Sequence, residues 1–110
     1  MVSPSTLFSW FIFLVAALLE IGGDAIIRKG LRSSGTLLII LGFLLLGCYG
    51  LVVNVVKWDF SKLLGVYVAV FAVISTLAGR YIFKENIPAT TWLGISIIVF
   101  GGLIIQFGQK

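Results

Sequence analysis

The sequence predicts an all-α membrane protein whose four transmembrane helices form an up-down bundle. Three observations predict this class: an apolar composition, four apolar runs of spanning length, and short polar connectors between them. Mean hydropathy is +1.18, and 60% of the residues are hydrophobic while only 11% are charged. A soluble domain is about 45–50% apolar and about 25% charged. The composition therefore excludes a soluble enzyme.

The four apolar runs are long enough to cross a bilayer, which takes about 20 residues of helix. They are Leu7–Ile27, Thr36–Val56, Leu63–Phe83 and Ala89–Phe107. None of the runs alternates apolar and polar residues as a barrel strand does. Both prolines, Pro4 and Pro88, lie outside the runs, so no helix is expected to be broken. We expect a single transmembrane domain over residues 1–110.

The connectors between the runs are short and carry most of the charge. They are Arg28–Gly35, Lys57–Lys62 and Lys84–Pro88. Short connectors require neighbouring helices to run antiparallel, which divides the basic residues five to three between the two sides of the membrane. The larger group is Arg28, Lys29, Arg32, Arg80 and Lys84, and the smaller is Lys57, Lys62 and Lys110. This bias favours both termini outside a multi-pass plasma-membrane protein, but it is weak enough to allow insertion in both orientations.

Histidine is absent and Cys48 is the only cysteine. These counts exclude histidine-dependent catalysis, an intrachain disulfide and a cysteine metal cage, so we expect neither a metal nor another cofactor. The formal net charge of +4 is typical of membrane-protein loops that lie near anionic lipid headgroups. It does not indicate a nucleic-acid partner.

The first run contains three ionisable residues spaced four apart, Glu20, Asp24 and Arg28, which therefore lie along one helix face. A charged side chain in the middle of a bilayer costs about 2.5–3.5 kcal/mol on insertion scales. One interpretation is an internal ladder near the membrane edge, in which Arg28 neutralises Asp24 and Glu20 bonds to another helix. The other is that Glu20, the deepest of the three, is neutralised by either a proton or a bound cation. Competition between a proton and a cation for the Glu20 carboxylate is the minimum chemistry of a proton/cation exchanger.

Polar and aromatic side chains in the second and third runs are candidates to line a substrate site. Tyr49 and Asn54 could orient a ligand by hydrogen bonds, or they could join neighbouring helices. Tyr67 and Phe71 are four apart, so they could form an aromatic wall that holds a cation on its π faces. The alternative for this pair is ordinary packing in the helix core.

Four segments carry a resemblance to a known family. They are Ala17–Asp24 (ALLEIGGD), Gly65–Val68 (GVYV), Arg80–Pro88 (RYIFKENIP) and Gly101–Ile105 (GGLII). Together with the four short spans, they resemble the small multidrug resistance family of the drug/metabolite transporter superfamily, and most of all its YnfA-like branch. The resemblance implies an antiparallel, dual-topology homodimer that exports cationic compounds in exchange for protons. It further implies that Glu20 is the essential glutamate of helix 1 and that Tyr67 is the aromatic residue of helix 3.

The sequence departs from the drug and guanidinium exporters of that family in two places. Leu64–Phe71 (LGVYVAVF) replaces their Gly-x-Ala-Tyr-Ala-x-Trp segment, and Asp24 is unusual among them. These departures leave the substrate open. One alternative is a transporter of a lipid-linked or polar metabolite, in which Arg28, Lys29 and Arg32 bind an anionic headgroup. Another is a non-transporting subunit whose polar face pairs with a larger membrane protein.

Overall fold

The structure, a computed structural model, describes residues 4–108 and contains four α-helices. They are α1 (Pro4–Ser33), α2 (Thr36–Val53), α3 (Phe60–Tyr81) and α4 (Ala89–Phe107). Each helix is long and apolar enough to cross a membrane, and no strand occurs among residues 4–108. The predicted all-α membrane class with four spanning helices is therefore confirmed. Lys110, which entered the predicted charge balance, lies outside the described residues.

The helices pack as two hairpins, α1 with α2 and α3 with α4, and each hairpin is a compact unit. This pairing follows from the short connectors. Inside a bilayer, a helix satisfies all of its own backbone hydrogen bonds, so two such helices can pack without exposing unpaired backbone groups to lipid.

Helix α1 continues past its predicted end at Ile27 as far as Ser33. No proline interrupts this stretch, and the helix stops only at Ser34, whose φ of 57° lies in the left-handed region. The Gly35 amide then donates to the Gly30 carbonyl over 2.8 Å. A left-handed residue followed by this backbone bond is the Schellman ending of a helix, which satisfies carbonyls left open at the C-terminus.

The other boundaries shift by a few residues or not at all. Helix α2 ends at Val53 rather than Val56, because Asn54 forms its C-cap and donates from Nδ2 to the Gly50 carbonyl over 2.8 Å. Helix α3 begins at Phe60 rather than Leu63 and ends at Tyr81 rather than Phe83. Helix α4 has the predicted bounds.

Glycines set the separation of α1 and α2. A Cβ atom added at Gly42 would collide with the Ile27 side chain and would lie 2.9 Å from the Gly23 carbonyl oxygen. A Cβ atom at Gly23 would lie 3.0 Å from both the Gly42 oxygen and Leu46 Cγ. The two backbones can approach this closely only because neither glycine has a side chain. Small residues allow the same close approach between membrane helices in general.

The hairpin of α3 and α4 has contacts of the same kind. The side chain of Ile105 occupies the space beside Gly65, where an added Cβ would lie 2.7 Å from Ile105 Cδ1. A Cβ atom at Gly102 would lie 2.5 Å from the Cβ of Ala69. At the connector, Lys84 has a φ of 57° and the Glu85 amide donates to the Gly79 carbonyl over 2.9 Å.

The glycine contact predicts a specific loss of stability. Gly42→Ala should lower the free energy of unfolding by about 1–3 kcal/mol, because the new methyl group overpacks against Ile27. Gly47→Ala is the matched control in the same helix, since no atom lies within 4 Å of a Cβ added there. The control should be neutral or up to about 1 kcal/mol more stable, because alanine favours helix. Reversible unfolding in mixed detergent micelles, followed by circular dichroism, measures both; equal effects of the two substitutions would contradict the close contact.

The end of α1 predicts opposite effects for two neighbouring serines. Ser34→Gly should raise stability by about 1 kcal/mol, because glycine adopts the left-handed conformation without strain. Ser33→Gly should lower it by about 0.5–1 kcal/mol, because Ser33 is helical and glycine destabilises a helix. The same unfolding titration compares them. A destabilising effect of Ser34→Gly would show that the α1–α2 connector has another conformation.

Candidate functional site

The close contact of α1 with α2 determines the depth of Glu20. Helix α2 has 18 residues, so it is about 27 Å long and matches the hydrocarbon core of a bilayer, about 30 Å thick. Gly42 and Leu46, which contact Gly23, lie on either side of its middle. Gly23 is therefore at about mid-depth, and Glu20 is three residues away, about 4.5 Å along the helix axis. A half-buried carboxyl group thus lies well inside the membrane-spanning part of the hairpin.

Tyr49 of α2 lies close enough to Glu20 for the two side chains to interact electrostatically. Their proximity follows from the antiparallel packing: Glu20 precedes Gly23 by about one turn, and Tyr49 follows Leu46 by about one turn. Both side chains are half-buried. A phenol hydroxyl can donate a hydrogen bond to a carboxylate and can accept one from a protonated carboxyl group. Of the predicted site residues, Glu20 and Tyr49 are the pair that this hairpin brings together.

Asp24 lies deeper than its predicted position near the membrane edge, and in this register Asp24, rather than Glu20 as predicted, is the carboxyl group nearest mid-depth. It is next to Gly23 and therefore opposite the middle of α2, because α1 continues well beyond the predicted end of the span. Its side chain is exposed in the single chain, as is that of Arg28. Among residues 4–108 neither of them takes part in an ion pair. The ladder in which Arg28 neutralises Asp24 is thus not formed within the described part of the chain.

Asn54 has a local role in the structure. Its side-chain amide nitrogen donates to a carbonyl of its own helix, one turn earlier, and the residue caps α2. The side chain is exposed at the helix end. This bond leaves the amide oxygen as the group that can reach a ligand.

Tyr67 and Phe71 form the aromatic pair that their spacing predicts. Their ring centroids are 6.1 Å apart and the rings are inclined by 36°, a tilted arrangement within the range favoured by aromatic pairs. Tyr67 is buried, with 3% of its surface exposed, and Phe71 is half-buried. Phe71 therefore has the more accessible ring of the two, and a cation could approach it.

Gln106 is a buried polar residue that the sequence analysis did not single out. It lies in α4, one turn after Gly102, with 9% of its surface exposed. Its side-chain oxygen is buried and has no hydrogen-bond partner among residues 4–108. A buried carboxamide without a partner is unusual, and inside a membrane it is more costly still. The sequence signal was present, since Gln106 interrupts the apolar second half of α4.

The described residues offer carboxylate, phenol and aromatic groups but no metal cage. No group of three or more His, Cys, Asp or Glu side chains within residues 4–108 could hold a metal ion. What α1 and α2 supply is two carboxyl groups well inside the spanning hairpin, one helix turn apart, and a phenol close to Glu20. Such groups can bind a proton or an organic cation.

The four spanning helices define an integral, multi-pass membrane protein of the all-α class, with two acidic residues in its first helix. The profile of the family described as "Uncharacterised BCR, YnfA/UPF0060 family" matches residues 6–110. This match covers nearly the whole chain, and the chain belongs to the YnfA/UPF0060 family. The branch indicated by the sequence resemblance is thereby confirmed.

Individual relatives agree with this assignment. A UPF0060 membrane protein of Staphylococcus carnosus is 36% identical over 102 residues, which is 90% of this chain and 94% of the relative. A UPF0060 membrane protein of Synechocystis sp. is 26% identical over 99 residues, covering 89% of this chain and 92% of the relative. These relatives, together with the four helices, confirm the multi-pass membrane location.

A shorter similarity connects the chain to a protein with a different description. A probable 4-amino-4-deoxy-L-arabinose-phosphoundecaprenol flippase subunit ArnE of Pseudomonas syringae is 45% identical over 38 residues. This stretch is 34% of this chain and 33% of that subunit. No solved structure matches the chain.

Proposed function

We propose that this chain is a proton-coupled antiporter that exports small organic cations, and that Glu20 is the group for which proton and substrate compete. The observation that carries the proposal is the position of Glu20, a half-buried carboxyl group near the middle of a spanning hairpin. Ionisable groups at such depth are rare and mark ion or proton pathways. Two relatives of similar length carry the name membrane protein, which agrees with this location.

The coupling follows from the cost of a bare charge. An ionised carboxylate in the bilayer is unfavourable by about 2.5–3.5 kcal/mol unless a positive charge accompanies it. A bound organic cation removes this cost, and so does a proton that converts the carboxylate to the neutral acid. Because one carboxyl group cannot hold both, arrival of a proton releases the cation, and arrival of a cation releases the proton. Each transport cycle then exchanges the two.

Tyr49 and Asp24 act on this exchange in different ways. The Tyr49 hydroxyl donates a hydrogen bond to the ionised Glu20 carboxylate. This bond stabilises the carboxylate after the proton has left and before a cation binds. Asp24 adds negative charge about one turn away and attracts a cation to the site. Arg28, one further turn along, opposes that attraction.

The exposed position of Asp24 supports an assembly of more than one chain. A carboxylate at mid-depth is not stable against lipid tails, so protein or water must cover it in the membrane. A second copy of the chain supplies eight helices and two Glu20 side chains, enough to enclose a pathway. The number of basic residues differs only slightly between the two sides of the membrane, which is compatible with an antiparallel homodimer.

A second candidate function rests on the short similarity to the flippase subunit. In that case the chain moves a lipid-linked polar metabolite, and the basic end of α1 binds its anionic headgroup. Arg28, Lys29 and Arg32 are all exposed there. Transport currents in proteoliposomes, measured with guanidinium, quaternary ammonium, polyamine and anionic lipid-precursor compounds, distinguish the two candidates.

The first prediction from the proposal concerns Glu20 itself. Glu20→Gln should preserve folding, because an amide has nearly the shape of a carboxyl group, and should abolish proton-driven transport of organic cations. Glu20→Asp is the matched control; it keeps the acid and should retain part of the activity with an altered pH dependence. Uptake into proteoliposomes with an imposed pH gradient measures both. Proton-driven uptake by Glu20→Gln at the rate of the unmodified protein would exclude the mechanism.

The second prediction concerns orientation. In a Cys48→Ser background, Asn86→Cys places a thiol on the exposed α3–α4 connector. If the chain inserts in both orientations, a membrane-impermeant maleimide should label about half of this thiol in intact cells and the remainder after permeabilisation. Complete labelling or complete protection in intact cells would show a single orientation, and an antiparallel homodimer would then be excluded.

A further inference from the structure

The end of the α3–α4 hairpin opposite its connector contains a cavity that the transport proposal does not use. Close packing of the two helices ends where the Ile105 side chain fills the space beside Gly65. Beyond that contact lies a shallow cavity of about 330 Å³ that is open to the surface and is lined by Ser61, Lys62, Ile104, Ile105 and Gly108. It lies between the first turn of α3 and the last turn of α4, where both helices leave the membrane core.

One side of the cavity is polar and basic. Lys62 and Ser61 line this side, and the Lys62 ammonium nitrogen lies 4.4 Å from the centroid of the Trp58 ring. Asp59, which precedes α3, carries the one acidic side chain in this connector, while Lys57 and Lys62 carry two basic ones. The local charge is therefore positive. An indole ring beside a lysine is a typical arrangement at the headgroup level of a bilayer.

The other side of the cavity is apolar and faces outward. Ile104 and Ile105 of α4 line it with 55% and 38% of their surfaces exposed. These two residues belong to the spanning part of α4, so this apolar wall lies at the level of lipid acyl chains. A ligand that fits this site needs an anionic group at one end and an apolar chain at the other.

We propose that this cavity binds an anionic phospholipid, with its phosphate at Lys62 and Ser61 and an acyl chain along Ile104 and Ile105. Charge complementarity favours an anionic headgroup over a zwitterionic one, because a zwitterionic headgroup brings its own cation towards Lys62. The apolar wall favours a lipid over a soluble anion. The site is independent of Glu20, so it stands whether or not the chain exchanges protons for cations.

Trp58 provides a direct probe of the site, because it lies beside Lys62. With Trp10→Phe and Trp92→Phe, Trp58 becomes the only tryptophan, and brominated lipids in contact with its ring quench its fluorescence. The protein is reconstituted in vesicles that contain brominated phosphatidylglycerol or brominated phosphatidylcholine at equal mole fractions. The relative association constant of the two lipids follows from the quenching, expressed against each variant's own unquenched intensity.

We expect phosphatidylglycerol to be preferred by about fivefold, the effect of one basic residue on an anionic lipid. Lys62→Gln should reduce the preference to about one, and Lys62→Arg should retain it. Ser61→Leu, which fills part of the cavity without removing charge, should also lower it. Lys84→Gln is the matched control: Lys84 is an exposed lysine just beyond the opposite end of α3, and its replacement should leave the preference unchanged.

Three outcomes would overturn the proposal. Equal quenching by the two lipids in the unmodified site would show no selectivity. An equal loss of preference in Lys84→Gln and Lys62→Gln would show that overall surface charge attracts the lipid. Relief of the quenching by inorganic phosphate, compared with chloride at the same ionic strength, would show a site for a soluble anion. Circular dichroism of every variant establishes that the helices are intact.

Discussion

The structure depends on the close approach of α1 to α2, and this approach exists because Gly23 and Gly42 face each other. In a bilayer, helices are not driven together by exclusion of water from apolar surfaces, since lipid tails are as apolar as leucine. Contact between the helix backbones takes the place of that driving force. The same contact fixes the register of the hairpin, and the register brings Tyr49 beside Glu20. The depth of Glu20 and the identity of its neighbours therefore follow from Gly23 and Gly42, two residues that have no side chain.

The two hairpins are built alike but carry different chemistry. Both have a glycine contact between their helices, and both connectors contain a non-glycine residue in the left-handed conformation, Ser34 and Lys84. The α1–α2 hairpin contains the acidic groups that would be costly in lipid. The α3–α4 hairpin contains the aromatic pair of Tyr67 and Phe71, and its far end forms the basic cavity. The proposed cation site and the proposed lipid site therefore lie in different hairpins.

Membrane location connects the structure to the family. The chain belongs to the YnfA/UPF0060 family, and its relatives of similar length are membrane proteins. A soluble protein could place Asp24 on its surface at no cost, whereas a membrane protein must cover it with protein or water. Asp24 is exposed in the single chain, so in the membrane its carboxylate needs a covering of protein or water.

The sequence by itself determined the class, the number of helices and, within a few residues, where they lie. Length and hydropathy are sufficient for this, because a bilayer permits only long apolar helices or closed barrels. The sequence also identified the residues that are costly in lipid, since a carboxyl group in an apolar run is visible without a structure. Only the tertiary structure decided that α1 continues to Ser33, that Asp24 lies opposite the middle of α2, and that Asn54 caps its own helix. The cavity at Lys62 was also visible only in the tertiary structure. Depth, register and cavities all depend on how closely two helices approach each other. That distance is set by contacts between residues that are far apart in the chain.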